Sequence, residues 1–425
     1  MPGAAAGQTF GQILDSEIPL DIIGVPRGVR DRQRPELEPA PLRIGGVAVS
    51  GALDTSLGST SNVLGAQNQH RADGFAEWEP QLVATLAPGP DRSARIMLDY
   101  DGKRFLATPA KRQDGYRIAA SGNYGFGTFG FGGGMLVASA FHQRRYEDQL
   151  TGSFPANGGG AVAIDQTQAQ ARLAQAFNRV KLTGALTFDR LRYHATITTT
   201  GAVLSQSYRD NSVLRASSRI DYTLLADTAL FAQVSWRGTD FAANSAYANR
   251  SSHEWRAIGG FSTDVSGLIR LSAGIGGYSR HYRVPPVGPG SGPDFGKLAG
   301  LAWDLRGAYY LTPLTTLSLQ ARREFVDANV RQSPGYEATS VRLQLDHEFL
   351  RNLLLSVMIG EEGDRFRLAL RQDRLHDYAL WADYWLSPHL VVKPRIEWLD
   401  RTGSGAAAGP HIAAFRTQLA LSVRN

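Results

Sequence analysis

From Leu42 onward the apolar residues of this chain recur at every second position, and the pattern never shifts to the 3.6-residue period of a helix. Thr339 to Phe349 is the cleanest stretch, with Val341, Leu343, Leu345 and Phe349 against Arg342, Gln344, Asp346 and Glu348. Val213 to Leu224 sets Leu214, Ala216, Ile220 and Tyr222 against Arg215, Ser217, Arg219 and Asp221. Segments at 93–105, 230–239, 301–310 and 317–325 repeat the scheme. Each reads as a strand with one apolar and one polar face. Arg323 and His347 fall in the apolar register near strand ends, where they are expected to snorkel to the interface.

The connections alternate as regularly. Short turns are expected near Pro88 to Asp91, Gly125 to Thr128, Asn178-Arg179, Ala226 to Thr228, Asp264 to Ser266, Leu311 to Leu314, Leu350 to Asn352 and Leu386 to His389. Between them lie longer polar or Gly-rich loops at Asp54 to Asp73, Arg144 to Gln166, Thr198 to Ser212, Arg283 to Gly296 and Arg401 to Pro410, with shorter ones near 107–114, 241–252, 327–337 and 363–376. One short and one long connection per hairpin predicts a transmembrane antiparallel up-and-down β-barrel of about 18 strands, 16 being the nearest alternative. A propeller would repeat a motif every ~40–50 residues, and none recurs. Trp78, Tyr100, Tyr222, Trp236, Trp255, Tyr309, Tyr378, Tyr384 and Trp398 fall near strand ends, where an aromatic girdle meets lipid headgroups.

A hydrophobic content of 43% is then the average of a lipid face and a watery lumen. No window approaches the ~18 apolar residues of a membrane helix, whereas a membrane strand needs only about 10. With no cysteine there is no disulfide framework and no thiolate site. The net charge of +6 is spread along the chain, with no block of like charge to suggest a nucleic-acid arm. Pro2 to Gly7 has neither the basic start nor the apolar core of a secretory signal. Residues 1–41, with Arg27, Arg30, Arg32 and Arg34 among prolines, form an N-terminal periplasmic segment expected to be extended or disordered when free, and 42–425 form the barrel.

Asp31-Arg32-Gln33-Arg34-Pro35-Glu36-Leu37-Glu38-Pro39, leading into Leu42-Arg43-Ile44-Gly45, resembles the pre-barrel segment of the outer-membrane β-barrel porin family often encoded beside exopolysaccharide genes. Leu311-Thr312-Pro313-Leu314 and Leu386-Ser387-Pro388-His389 resemble that family's periplasmic turns. The resemblance spans essentially the whole chain. It implies an outer-membrane channel associated with polysaccharide secretion, partnered by a periplasmic polysaccharide-export protein, and it carries over no catalytic residue. One departure is the end: the last strand alternates Phe415, Thr417, Leu419, Leu421 and Val423 but closes on Asn425, where outer-membrane barrels generally present an aromatic residue.

In a barrel the polar register faces the lumen, because Arg or Lys at the lipid midplane costs roughly 2–4 kcal/mol. The expected lumen holds Arg95, Arg215, Arg219, Arg237, Arg256, Arg270, Arg280, Arg306, Arg322, Arg342, Arg395, Arg416 and Lys393. Asp99, Asp101, Asp221, Asp304, Glu324, Asp346, Glu348, Asp383 and Glu397 are interleaved with them. Two readings stand: a salt-bridge lattice that stiffens the wall, or a basic path guiding an acidic glycan through bidentate contacts. Trp381 and Trp385, sharing a face with Asp383, and Tyr278 and Tyr282, sharing one with Arg280, could stack on a sugar or simply pack at the rim. The nine histidines show no metal-ligand spacing, and Gly125-Phe126-Gly127 and Gly132-Gly133-Gly134 precede no helix, so no cofactor and no enzymatic site are expected. A chance pairing of His142 with a neighbouring serine is the one hydrolase arrangement left open. The functional expectations are an exopolysaccharide export channel gated at the outer mouth by segments such as Phe154 to Gly158, a general porin for small solutes narrowed by an inward fold of 144–166, or a closed structural or adhesive barrel.

Overall fold

A strand in hydrocarbon survives only if all its backbone N–H and C=O groups are paired, and for a sheet that requires closure. The computed structural model describes residues 28–425 apart from Gln69, Pro90, 128–130, 148–158, Thr199, 243–248, 284–294 and 329–332. Its main sheet has 19 strands, of which one is the short lead-in Leu42–Ile44 and the other 18 form a closed barrel, the number expected. These are β1 (Val47–Thr60), β2 (Asp73–Gly89), β3 (Arg92–Phe105), β4 (Gln113–Phe126), β5 (Phe131–Glu147) and β6 (Val162–Phe177). They continue as β7 (Val180–Tyr193), β8 (Asn211–Leu225), β9 (Thr228–Phe241), β10 (Ser252–Val265), β11 (Ile269–Tyr282) and β12 (Lys297–Thr312). The last six are β13 (Thr315–Asp327), β14 (Gly335–Leu350), β15 (Leu353–Phe366), β16 (Gln372–Ser387), β17 (Leu390–Ser404) and β18 (Ile412–Arg424). Every strand pairs antiparallel with its sequence neighbours, and β18 returns to β1 in register from Ala52↔Arg424 to Thr60↔Arg416.

All eight expected short turns join paired strands, and they sit with the start of β1 and the end of β18 at one end of the barrel, the periplasmic end in outer-membrane proteins. Asn178 takes φ 50° in the two-residue turn between β6 and β7, a conformation Asn adopts more readily than most residues. Three long connections are shorter than expected, that at 144–166 because β5 runs on to Glu147 and β6 opens at Val162. Asp54 to Thr60 continues β1, and Arg401 to Ser404 continues β17, because a lumen-facing register tolerates the Asp, Ser and Thr residues that elsewhere signal a loop. The Gly-rich run Gly132 to Gly134 lies within β5, as strand and not as phosphate loop.

Burial is inverted relative to a soluble sandwich. On β7, Leu186 is 53% and Phe188 42% exposed, while Thr187 and Asp189 between them are 1% and 3% exposed. Such a wall is stable only where hydrocarbon covers its outside. The aromatic girdle is on that outer face: Tyr222, Trp255, Tyr309, Tyr378, Tyr384 and Trp398 are exposed there. Trp236 stands opposite Trp255, and Tyr378 opposite Trp398, the latter rings stacked at 5.3 Å. Trp78 lies over Gly102 so closely that a Cβ there would come within 2.3 Å of the indole, so a glycine is required at that position.

Leu419, near the middle of β18 and 57% exposed on the lipid side, gives the direct check. Leu419→Arg should cost about 2–4 kcal/mol in urea unfolding from bilayers, whereas Gln418→Arg, on the inner face beside Glu77, should cost far less. Equal losses would contradict the assigned faces.

Candidate functional site

Strand alternation places Arg215, Arg219, Arg237, Arg256, Arg270, Arg306, Arg322, Arg342, Lys393, Arg395 and Arg416 on the face opposite the exposed apolar rows, together with Asp304, Glu324, Asp346, Glu348 and Glu397. Residues two apart on one strand share a face, and several pairs use that spacing: Arg219–Asp221 (2.6 Å), Arg322–Glu324 (3.1 Å), Arg306–Asp304 (3.4 Å) and Arg395–Glu397 (2.7 Å). Others cross strands: Arg215–Asp189 (3.0 Å), Arg270–Asp264 (2.8 Å), Arg416–Glu397 (3.6 Å) and Lys393–Asp54 (2.7 Å). The wall is therefore a lattice of ion pairs. Removing one partner of such a pair leaves an uncompensated buried charge, at about 3–5 kcal/mol.

At the short-turn end a segment of the chain lies inside the barrel. Residues 28–41 are the described part of the N-terminal segment; Thr9 to Leu14 and Pro26 lie outside the described residues. Val29 is buried, and its N–H donates to Thr316 Oγ1 at 2.9 Å. Arg30 pairs with Asp346 (2.7 Å) and Asp383 (3.1 Å) and donates to Ser356 Oγ, tying together the inner faces of β14, β15 and β16. Arg32 (3.1 Å) and Arg34 (2.8 Å) both reach Glu348. The Arg30 guanidinium lies 5.2 Å from the centre of the Trp381 ring, and that of Arg34 5.7 Å from the centre of the Trp385 ring, so these indole faces are already occupied by cations. A 3₁₀ turn at Pro35–Leu37 then puts Glu36 2.6 Å from Arg351 in the β14–β15 turn. A backbone hydrogen bond and that arginine hold the Glu36 carboxyl below its ordinary pKa. This arm explains why Asp346 and Glu348 are buried: their partners come from the N-terminal segment.

At the opposite end the tip of the β13–β14 hairpin folds into the mouth. β13 stays in register with β12 only as far as Arg323↔Trp303. Beyond it the outer face of the hairpin packs on the inner face of β9 to β12. Phe325 meets Tyr278, with ring centres 5.6 Å apart, in a cluster that includes Phe231, Ile258, Tyr282, Phe295 and Ala302. Asp327 pairs with Arg237 of β9 (2.6 Å) and Arg280 of β11 (2.5 Å), and Arg250 donates to the Ala328 carbonyl. Burial draws the Arg250 guanidinium below its ordinary pKa, with Asp327 opposing that shift. Glu337 accepts from Tyr278 Oη at 2.9 Å and pairs with Arg323 (2.6 Å) and Arg367. A small cavity remains beneath, lined by Arg215, Arg237, Glu254, Arg256, Tyr278, Ala302, Glu324 and Phe325.

Arg323 thus pairs with Glu337 instead of snorkelling to the headgroups, because its part of the strand leaves the lipid. His347 bonds Thr315 Oγ1 at 2.9 Å. Tyr278 and Tyr282 are buried in the rim cluster, as the packing alternative had it. His142 bonds Thr167 and Tyr116, not a serine, among the described residues. Of the inward fold expected at 144–166, 144–147 and 162–166 are wall strand, and 148–158, with Phe154 to Gly158, lies outside the described residues; the inward fold that is described comprises 325–328 and 333–337. Asp327 and Glu337 escaped the sequence reading, yet a signal existed. With Arg323 they put three charges into the register that should face lipid, which marks a hairpin end that has left the wall.

The family model described as "Putative beta-barrel porin 2" matches residues 132–424. No curated protein matches the chain. Among solved structures it is similar to the outer-membrane protein OpdK of Pseudomonas aeruginosa, at 11% identity over 89% of this chain and 98% of that one, TM-score 0.47. It is also similar to a mutant of the ferric enterobactin receptor PfeA of the same organism, at 9% identity over 88% and 80%, TM-score 0.46. A third is the ferric-catecholate import receptor Fiu of E. coli K12, at 11% identity over 91% and 82%, TM-score 0.44.

Asp327→Ala removes the carboxylate paired with Arg237 and the nearer of the two on Arg280, Glu254 remaining at 3.5 Å, a loss of about 3 kcal/mol at the end of β13. The expected outcome is a hairpin released from the mouth and a larger single-channel conductance in planar bilayers. A variant with the parent conductance would show that the tip does not limit the opening.

Proposed function

The chain belongs to the Putative beta-barrel porin 2 family, and from that premise we propose that this outer-membrane barrel is the channel through which an acidic exopolysaccharide is secreted, fed by a periplasmic and inner-membrane export complex. The observation that carries the reading is that at each mouth a segment inside the barrel is held to the wall by guanidinium–carboxylate pairs. At the outer mouth the arginines belong to the wall and the carboxylate, Asp327, to the hairpin. A glycan carboxylate can take the place of Asp327, and exchange of one partner for another avoids the cost of leaving Arg237 and Arg280 unpaired.

At the inner mouth the roles are reversed. Asp346, Glu348 and Asp383 belong to the wall, and Arg30, Arg32 and Arg34 to the mobile partner, the arm. An arriving polyanion competes for the arm's guanidiniums and draws the arm off the wall. Withdrawal takes the arm's cations off Trp381 and Trp385, leaving Arg395 of the wall 5.3 Å from the Trp381 ring centre and the Trp385 face as the stacking platform for a sugar ring. The lumen list from Arg215 to Arg416 is the path between the two seals, its arginines exchanging wall carboxylates for those of the polymer.

A general diffusion porin is the second reading, and the inward fold at 325–328 and 333–337 favours it, since such a fold sets a size limit. Conductance of the purified chain separates the readings. Oligouronate should block the pore at concentrations where neutral oligosaccharide of the same length does not, and deleting the gene should stop polymer secretion. Block that follows size alone would establish the diffusion porin, and a barrel that conducts nothing, with secretion intact on deletion, would establish a closed structural protein.

A further inference from the structure

The outward row of β7 runs through Leu182, Leu186 and Phe188, all exposed, and then through Arg190 and Arg192, also exposed. Alternate residues of a strand advance by roughly 6.5–7 Å. Arg190 therefore stands one step above the last apolar side chain of the row, toward the long-loop end, and Arg192 two. That is the depth at which hydrocarbon gives way to the headgroups of the outer leaflet. Neither arginine makes an ion pair among the described residues. Both lie on the outside of the wall, where the channel reading gives them no role.

Their surroundings are built for an anion. Thr167 of β6 and Ser212 of β8 stand directly opposite Arg190 and add two hydroxyl groups to its flanks. Asp165, opposite Arg192, is already committed to Arg144 (2.7 Å) and to His194 (2.7 Å), and Asp210, the acid that faces both arginines, accepts the Tyr193 N–H (2.7 Å) and makes no ion pair with either among the described residues. Asp240, opposite Ser212, is committed to Arg283 (2.8 Å). The same level on the far side of the barrel is balanced, with Arg374 beside Glu361 (3.4 Å) and Asp400 beside His411 (2.7 Å).

We propose that Arg190 and Arg192, with Thr167 and Ser212, form a binding surface for the phosphate of an outer-leaflet lipid whose acyl chains lie against Leu186 and Phe188. Paired guanidinium forks match phosphate oxygens in geometry as well as charge, and the hydroxyl groups complete the shell. The continuity of the basic pair with the apolar row is what selects a lipid over free phosphate, because one ligand must satisfy both. The inference depends on the barrel alone and stands whichever solute the lumen carries.

Native mass spectrometry of the full chain with diphosphoryl lipid A and with dephosphorylated lipid A of the same acyl chains tests it. The phosphorylated lipid should be retained selectively. Arg190→Ala/Arg192→Ala should weaken that retention by about thirtyfold, the effect expected for two basic residues at a lipid surface. Arg374→Ala, on the balanced side, should leave it unchanged. Heat-modifiable electrophoretic migration reports folding, and Arg190→Lys/Arg192→Lys, which keeps the charge and loses the forks, should bind with intermediate strength. Equal retention of both lipids, or undiminished retention by the double alanine variant, would overturn the proposal, and free phosphate displacing the lipid completely would assign the site to the ion.

Discussion

Everything in this molecule depends on the requirement that no backbone hydrogen-bonding group be left unpaired in hydrocarbon. A sheet meets that demand only without edges, so the pairing of β18 with β1 is the closure on which the other 17 interfaces rely. Once closed, the cylinder fixes the direction of every side chain through the two-residue repeat, one row to lipid and the next to lumen. The charge lattice, the girdle and the two constrictions are consequences of that geometry.

The inside of such a wall presents a problem that its outside does not. Arginines and carboxylates cannot face lipid, yet packed together inward they lose much of their hydration, which is costly for each unpaired ion. The sequence solves this locally by placing opposite charges two apart on one strand, as in Arg219–Asp221 and Arg395–Glu397, where the backbone itself sets the distance. Where the wall supplies carboxylates in excess, as at Asp346, Glu348 and Asp383, the N-terminal arm supplies the arginines. Where it supplies arginines in excess, as at Arg237 and Arg280, the β13–β14 tip supplies Asp327.

The barrel, its strand number and all eight short turns were legible in the sequence because period-two alternation is a one-dimensional property that closure merely bends into a cylinder. Strand ends were less so: Asp54 to Thr60 and Arg401 to Ser404 carry loop-like residues that a polar lumen accepts as strand. The constrictions were the least legible. Whether Arg34 meets Glu348, or Asp327 meets Arg280, depends on contacts 314 and 47 residues apart in the chain, which no local pattern encodes. What local pattern does encode is the misfit. Arg323, Asp327 and Glu337 stand in the lipid register and so cannot remain at the lipid, whereas the turn at 28–31 that brings Arg30, Arg32 and Arg34 to one wall is not marked by their spacing.

The use of charge in both seals bears on what can pass. An apolar plug held by burial alone would be displaced by any sufficiently greasy or forceful solute, since the hydrophobic effect is non-directional. At the outer mouth such a contact discriminates, because opening it without a substitute leaves Arg237 bare, whereas an anion can replace Asp327; at the inner mouth Asp346 and Glu348 need a cation once the arm leaves them. The two seals also have opposite polarity, with the moving part cationic at the inner mouth and anionic at the outer one. A polyanion entering from the inner side therefore attracts the first moving part and repels the second. On the proposed reading it would compete with Asp346 and Glu348 for the arm's arginines and then with Asp327 for Arg237 and Arg280. A solute arriving from outside meets these in the reverse order, reaching Asp327 before Arg237 and Arg280. For the proposed secretion reading, that opposite polarity is the feature that would favour outward passage of an anionic polymer.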